Sequence, residues 1–378
     1  MTDDLLQTAF GSFHLQPLHH HPRSPLRAWN AADELLLREA EGLAQIKPSQ
    51  RILLVNDSAG ALGIALHAVH PHSWNDSFSA FLALRQNLAR NNLPEDAALT
   101  IASHQSPQGP YDSVLIQLPK TLSLLEHQLN ALRPHLHEET RVIGAGMVKH
   151  MTKSMQDLFE QQIGPSTTSL AEKKARLIFA RFDPALTIKD TPPTQNTQYA
   201  IPGTSLQLVN HANVFSREKL DIGTRFLLEQ FPDLSNAQTI LDLGCGNGAL
   251  GLFAAWRYPN ATLHFTDDSF LAVQSAQASL TLNGLTNPAH FHCGDCLEQF
   301  EGQVDTILCN PPFHEGNKVH TEIAGRMFRG AAQHLNPGGQ LHIVANRHLD
   351  YPALLKRHFR RVQVAASNAK FVILSASR

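Results

Sequence analysis

The chain has 378 residues, too many for one ordinary hydrophobic core, so two domains are expected. Its composition, 42% hydrophobic and 17% charged, is that of a soluble globular protein, and a formal charge of -2 with a pI near 6.9 excludes a global field that would pull it onto a polyanion. Any nucleic-acid contact must therefore come from local basic patches. No uncharged apolar run approaches the length of a membrane span, and the opening Met-Thr-Asp-Asp-Leu-Leu lacks the basic n-region of a secretory signal. The four cysteines (Cys245, Cys293, Cys296, Cys309) are too few and too clustered for a disulfide framework. A cytoplasmic location with no membrane association is the expectation.

In chain order, the first regular pattern is Ile52 to Leu66, where an apolar run meets a Gly-containing turn and then a helical pattern. Asp76 to Leu93 opens a second such helix, and Asp112 to Lys120 reads as a strand running into a turn. Lys173 to Phe182 reads as a closing strand, and the Pro-rich Asp190 to Asn196 as a linker. The same sequence of elements then recurs. Ile240 to Ala254 matches Ile52 to Leu66 at six of fifteen positions, sharing the ending Gly-Ala-Leu-Gly. Asp268 to Leu285 matches Asp76 to Leu93 at seven of eighteen, and Asp305 to Phe313 parallels Asp112 to Lys120. Strands alternating with helices imply a doubly wound, mostly parallel sheet. Two copies imply an α/β chain duplicated in tandem, with residues 1–190 as the first domain and 197–378 as the second.

The second copy carries the chemistry. The strand pattern Thr239 to Leu243 leads into Gly244, Gly246 and Gly248, which let the backbone turn sharply and approach a ligand. Gly246-x-Gly248-x-x-Gly251 is also a literal dinucleotide fingerprint, so a nicotinamide-dependent oxidoreductase stands as the rival enzyme class. Asp242, inside the strand end before the glycines, resembles the acid of the D-x-G-x-G-x-G loop of class I methyltransferases, and that resemblance implies a carboxylate facing the ammonium end of S-adenosyl-L-methionine, where a pyrophosphate would be repelled. Asp267 ends the next strand, where a carboxylate can accept both ribose hydroxyls. Asp295 follows the third strand.

At the fourth strand stands Asn310-Pro311-Pro312-Phe313, which the oxidoreductase reading leaves idle. The lone pair of an exocyclic amine or amide is delocalised, so the nitrogen is a poor nucleophile. The Asn310 side-chain oxygen and the Pro311 carbonyl can each accept one N–H and draw that nitrogen toward a pyramidal geometry. Two prolines stiffen the loop, and Phe313 offers a face for a flipped base. Read alone, Asn-Pro-Pro would be an ordinary turn. In order with the glycine loop and the two acids, it is specific. A tandem binding module without catalysis would have decayed in both copies. The first copy has Asn56 to Gly60 in place of Gly244 to Gly248 and Gln117 to Lys120 in place of Asn310 to Phe313, so only that copy has lost the site.

These motifs, with His211 to Ser216, Leu220-Asp221-Ile222-Gly223 and Ala345 to Tyr351, resemble the RlmG/RsmC family of bacterial ribosomal RNA (guanine-N2)-methyltransferases over essentially the whole chain. Ala28 to Glu34 and Val344 to Tyr351 look closer to its large-subunit (23S rRNA) branch, while the same reaction on small-subunit (16S) rRNA stays open as the alternative. The resemblance implies two tandem class I (Rossmann-like) methyltransferase domains, each with a mostly parallel seven-stranded sheet and helices on both faces. It implies S-adenosyl-L-methionine as cofactor and ribosomal RNA as partner, and adds Asp221 and Gly223 to the cofactor set and Asp295 as the adenine contact. It implies no obligate protein partner. The same tetrapeptide also serves adenine N6 and glutamine amides, which stay open as substrates. Phosphate contacts are expected from Arg326, Arg329, Lys173, Lys174 and Arg347. Cys293-x-x-Cys296 lacks a second pair and encloses Asp295, so no metal is expected.

Overall fold

The computed structural model describes residues 4–19, 26–42, 50–187, 196–312 and 318–378. Two compact units follow one another, Met1–Gln195 and Asn196–Arg378. The expected linker, apart from Asn196, lies outside the described residues.

The first unit opens with a hairpin, β1 (Leu5–Thr8) and β2 (Gly11–His14), followed by α1 (Ala31–Gly42). Then come β3 (Ile52–Val55), α2 (Ala61–Ala65), β4 (His72–Asn75), α3 (Phe78–Arg90), β5 (Leu99–Ala102), β6 (Tyr111–Gln117), α4 (Leu122–Leu132), β7 (Leu136–Met147), α5 (Lys153–Gln162), β8 (Ser166–Thr168) and β9 (Ala175–Arg181). The sheet order is β5-β4-β3-β6-β7-β9-β8, parallel up to β7 and antiparallel beyond it.

The second unit repeats the plan. The hairpin is β10 (Thr197–Ala200) and β11 (Gln207–Asn210), and α6 is Ile222–Glu229. The remaining elements are β12 (Thr239–Leu243), α7 (Ala249–Arg257), β13 (Thr262–Asp267), α8 (Phe270–Leu282), β14 (Ala289–Cys293), β15 (Val304–Cys309), α9 (Lys318–His334), β16 (Leu335–Asn346), α10 (Tyr351–Leu355), β17 (Arg361–Ser367) and β18 (Phe371–Ser377). The order β14-β13-β12-β15-β16-β18-β17 reproduces the first sheet strand for strand. Local devices are duplicated as well. Ser77 caps α3 and Ser269 caps α8, each accepting from the backbone N–H three residues on. Gly60 and Gly248 start α2 and α7 from the same left-handed backbone, at φ 80° and 81°.

Parallel strands covered on both faces must be apolar throughout, and Ile240, Leu241 and Leu243 of β12 are fully buried. Each such side chain contributes roughly 1.5–3 kcal/mol by leaving water. The chain runs outward from β12 through β13 to β14, then returns to the other side of β12 as β15. That reversal opens a crevice at the carboxyl ends of β12 and β15, the usual place for a ligand in such a sheet. No helix among the described residues is long and apolar enough to cross a membrane.

Candidate active site

A cavity of about 430 Å³ occupies this crevice in the second unit. One wall is the loop after β12, with Gly244, Gly246 and Asn247; another is the end of β15, with Asn310, Pro311 and Pro312. Gly246, at φ 54°, has open space where a side chain would begin, so a Cβ there would project toward whatever fills the cavity. Gly248 and Gly251 serve packing instead, since a Cβ would meet Ala276 at 2.9 Å and the Phe265 ring at 2.3 Å. Among the expected glycines, Gly244 and Gly246 line the cavity; Gly248 and Gly223 do not. Gly223 lets the first turn of α6 sit close to Phe371 and Val344, where a Cβ would stand 3.3 and 3.6 Å away.

The acids differ sharply in environment. Asp242 is 1% exposed, its Oδ2 accepts the Gly251 N–H at 2.8 Å, and burial pushes its carboxyl up to about 8. It therefore holds its proton at neutral pH unless a cation arrives beside it. Asp267 ends β13 at the cavity wall, accepting the Gly246 N–H and the Ser269 N–H, each at 2.9 Å. Asp295 is not in the cavity wall. Its two carboxylate oxygens face the Arg326 guanidinium, with Nη1 donating to Oδ2 at 2.6 Å. Arg326 also reaches Glu298 at 3.4 Å. Asp295 and Arg326, expected as an adenine contact and a phosphate contact, are paired with each other in this structure, and a largely buried carboxylate is stabilised by such a partner.

Asn310 is the best-defined group. Its Nδ2 donates to Asp221 Oδ2 at 3.1 Å and to Thr224 Oγ1 at 2.8 Å. A carboxylate only accepts, so Asp221 fixes which end of the amide is nitrogen. Asp221 is itself held in place as the N-cap of α6, accepting the Thr224 N–H at 2.8 Å. The amide oxygen, Oδ1, is buried and has no hydrogen-bond partner among the described residues. The Tyr351 hydroxyl donates to the Pro312 carbonyl at 3.0 Å and pins the loop from below. Phe313 lies outside the described residues.

Several cavity residues were not anticipated from sequence. Tyr199 of β10 donates to the Ser216 carbonyl and accepts from Asn247, both at 2.9 Å, and burial raises its hydroxyl to about 12. Thr224, Asn346, Lys370 and Phe371 come from α6, β16 and the start of β18. Only the hairpin's position against α8 and the antiparallel pairing of β18 with β16 bring them here. The remaining basic candidates are scattered. Arg347 is exposed and donates to the Asn368 carbonyl at 3.2 Å, and Arg329 is 4.0 Å from Glu298. Lys173 and Lys174 belong to the first unit, where Lys173 pairs with Glu34 at 2.7 Å. The four cysteines are free thiols, and burial pushes Cys296 up to about 12.

The first unit has the same crevice filled with its own side chains. Asn56, at φ 63° in the position of Gly244, donates to the Gln117 carbonyl and exchanges hydrogen bonds of 3.0 and 2.7 Å with the fully buried Gln128. Gln117, in the position of Asn310, still ties to α1 through Asp33. The tether of strand end to helix start has survived; the glycine loop and the free acceptor have not.

Known proteins agree with this architecture. The RLMG N-terminal domain family model matches residues 3–184, and the methyltransferase small domain model matches residues 205–375. The ribosomal RNA large subunit methyltransferase G of Ectopseudomonas mendocina is 44% identical over 376 residues, covering 99% of this chain and all of that one. The protein of the same name from Stutzerimonas stutzeri is 45% identical, covering 98% of both. Among solved structures, the T. thermophilus 16S rRNA N2 G1207 methyltransferase RsmC, in complex with AdoMet and guanosine, superposes with a TM-score of 0.75. At 23% identity, covering 99% of this chain and 97% of that one, it is a likeness of fold. Full-length relatives at this identity, with both domain models in order, settle the affiliation: the chain belongs to the ribosomal RNA large subunit methyltransferase G family.

Proposed function

We propose that the second unit methylates the exocyclic N2 amino group of a guanine in large-subunit (23S) ribosomal RNA, with S-adenosyl-L-methionine as donor. One observation carries the chemistry: Asn310 has its amide nitrogen locked by Asp221 and Thr224 and its buried oxygen left without a partner. A buried acceptor without a donor is costly, on the order of 1–3 kcal/mol, and a planar N–H group would satisfy it. The large-subunit target follows the relatives' names.

The residues present fit the cofactor. Gly244 and Gly246 give the close backbone approach, Asp267 a carboxylate for the ribose, and Asp242 a buried acid whose ionised form suits a cation. Bound there, S-adenosyl-L-methionine would supply a methyl group on a sulfonium, with a neutral thioether as leaving group. Asn310 Oδ1 would accept one N–H of the amine and the Pro311 carbonyl the other, localising the nitrogen lone pair. Because the acceptors are fixed by Asp221, Thr224 and Tyr351, they need no reorganisation as charge develops. The exposed Lys370 and Arg347 flank the cavity side of β16 and β18 and would take up the nucleotide's phosphates. The first unit, with Asn56 and Gln128 in its crevice, would hold no cofactor and serve RNA positioning or support of its sister domain.

The test is transfer of labelled methyl to naked and assembled large- and small-subunit RNA, with nucleosides identified by mass spectrometry and cofactor stoichiometry measured by calorimetry. N2-methylguanine on large-subunit RNA and one cofactor per chain are expected. Label on adenine, on protein or on none of the RNAs would overturn the assignment.

A further inference from the structure

A second amide stands beside Asn310 with the same deficit. Asn346, the last residue of β16, lines the cavity, and its Oδ1 is buried without a hydrogen-bond partner among the described residues. β15 and β16 run parallel with Cys309 opposite Ile343; Asn310 follows directly on the end of β15, and Asn346 closes β16 three residues past Ile343. On its other side Asn346 pairs with Phe371 of β18, another cavity residue. Asn310 and Asn346 thus line one cavity from the ends of neighbouring strands, each with a buried acceptor that has no partner among the described residues.

One unpartnered acceptor accounts for an amine; two ask for a ligand with adjacent donors. Guanine has them, since N1–H lies next to the N2 amino group, with the O6 acceptor beyond. Adenine offers an acceptor at N1. We propose that Asn346 is the residue that selects guanine: its Oδ1 accepts N1–H while its Nδ2 donates to O6, and Asn310 holds the neighbouring N2. This rests on the guanine-N2 reading above and assigns to a second residue the recognition that Asn310 alone cannot give. Asn310 takes hold of any planar amino group; Asn346 distinguishes the ring that carries it.

The experiment is competition in the methyl-transfer assay on 23S rRNA, with guanosine, 2-aminopurine riboside and inosine as inhibitors. 2-Aminopurine keeps the N2 amino group and lacks both N1–H and O6; inosine has the reverse. In the wild type, guanosine should inhibit more tightly than 2-aminopurine riboside by roughly ten- to hundredfold, the range of one bidentate base contact. In Asn346→Ala that ratio should fall to near one, through weaker guanosine and inosine inhibition and unchanged 2-aminopurine riboside inhibition. S-adenosyl-L-methionine affinity by calorimetry should stay within about threefold, since the residue is assigned to the base. Equal inhibition by guanosine and 2-aminopurine riboside in the wild type, including none by either, overturns the proposal. So does an Asn346→Ala variant that keeps the ratio or loses cofactor binding. Failure of the wild type to methylate guanine N2 at all would instead overturn the reading on which the proposal rests.

Discussion

Replacing Asn310 with alanine separates chemistry from binding. The substitution deletes the free Oδ1 acceptor and two donated hydrogen bonds, to Asp221 at 3.1 Å and Thr224 at 2.8 Å. The bond to the carboxylate is worth about 1.5–3 kcal/mol and the one to the hydroxyl about 0.5–1.5 kcal/mol, reduced because Asn310 is only half-buried. A stability loss near 2 kcal/mol is expected, seen as a melting temperature about 4–8 °C lower for a unit of this size. Asp221 keeps its place, because it still accepts the Thr224 N–H at 2.8 Å as the cap of α6. The cofactor wall, built from Gly244, Gly246 and Asp267 on other strands, is untouched. The calorimetric Kd for S-adenosyl-L-methionine should therefore change little, while kcat falls about a hundredfold or more, as when a preorganised transition-state hydrogen bond is removed elsewhere. Loss of cofactor affinity in parallel with kcat, or a kcat reduced less than tenfold, would refute the role given to Asn310.

Other outcomes follow from the same geometry. Asp267→Ala should weaken cofactor binding by roughly ten- to hundredfold, the value of a charge-assisted contact, and an unchanged Kd would remove Asp267 from the cofactor site. Arg326→Ala removes the guanidinium that faces the buried Asp295 carboxylate, a cost of about 3–5 kcal/mol in thermal or denaturant unfolding. The apolar double replacement Arg326→Met with Asp295→Leu should recover most of it, and a single variant as mild as a surface change would contradict the pairing. Asp242 has a folded-state value near 8 against an ordinary carboxyl near 3.8, so the folded state binds the extra proton. Its contribution to stability is full below the ordinary carboxyl value and is lost as pH rises through 8. Asp242→Asn should thus gain in melting temperature relative to the wild type between pH 5 and about pH 8.5, an interval that covers most of that loss. Parallel pH curves for the two proteins would show that the acid is ionised throughout.

The sequence by itself determined the repeat and singled out residues that the fold brings to one cavity, among them Asp242, Gly244, Gly246, Asp267 and Asn310. Shared Gly-Ala-Leu-Gly turns and matching helix starts announced two copies of one doubly wound sheet, because strand-turn-helix units are encoded over short stretches. Asp242, Asp267, the glycine loop and Asn310 were legible for the same reason: each sits at a strand end, where local pattern fixes position. What only the tertiary structure decided is who meets whom. Asp295 and Arg326 are 31 residues apart, and only the fold sets them against each other. Tyr199 reaches Asn247 in the loop after β12 only because its hairpin packs on α8, and Phe371 stands beside Asn346 at the cavity only because β18 returns antiparallel beside β16. The unpartnered oxygens of Asn310 and Asn346 are likewise invisible in sequence, since a missing partner is a property of everything folded around an atom and local pattern carries no record of it.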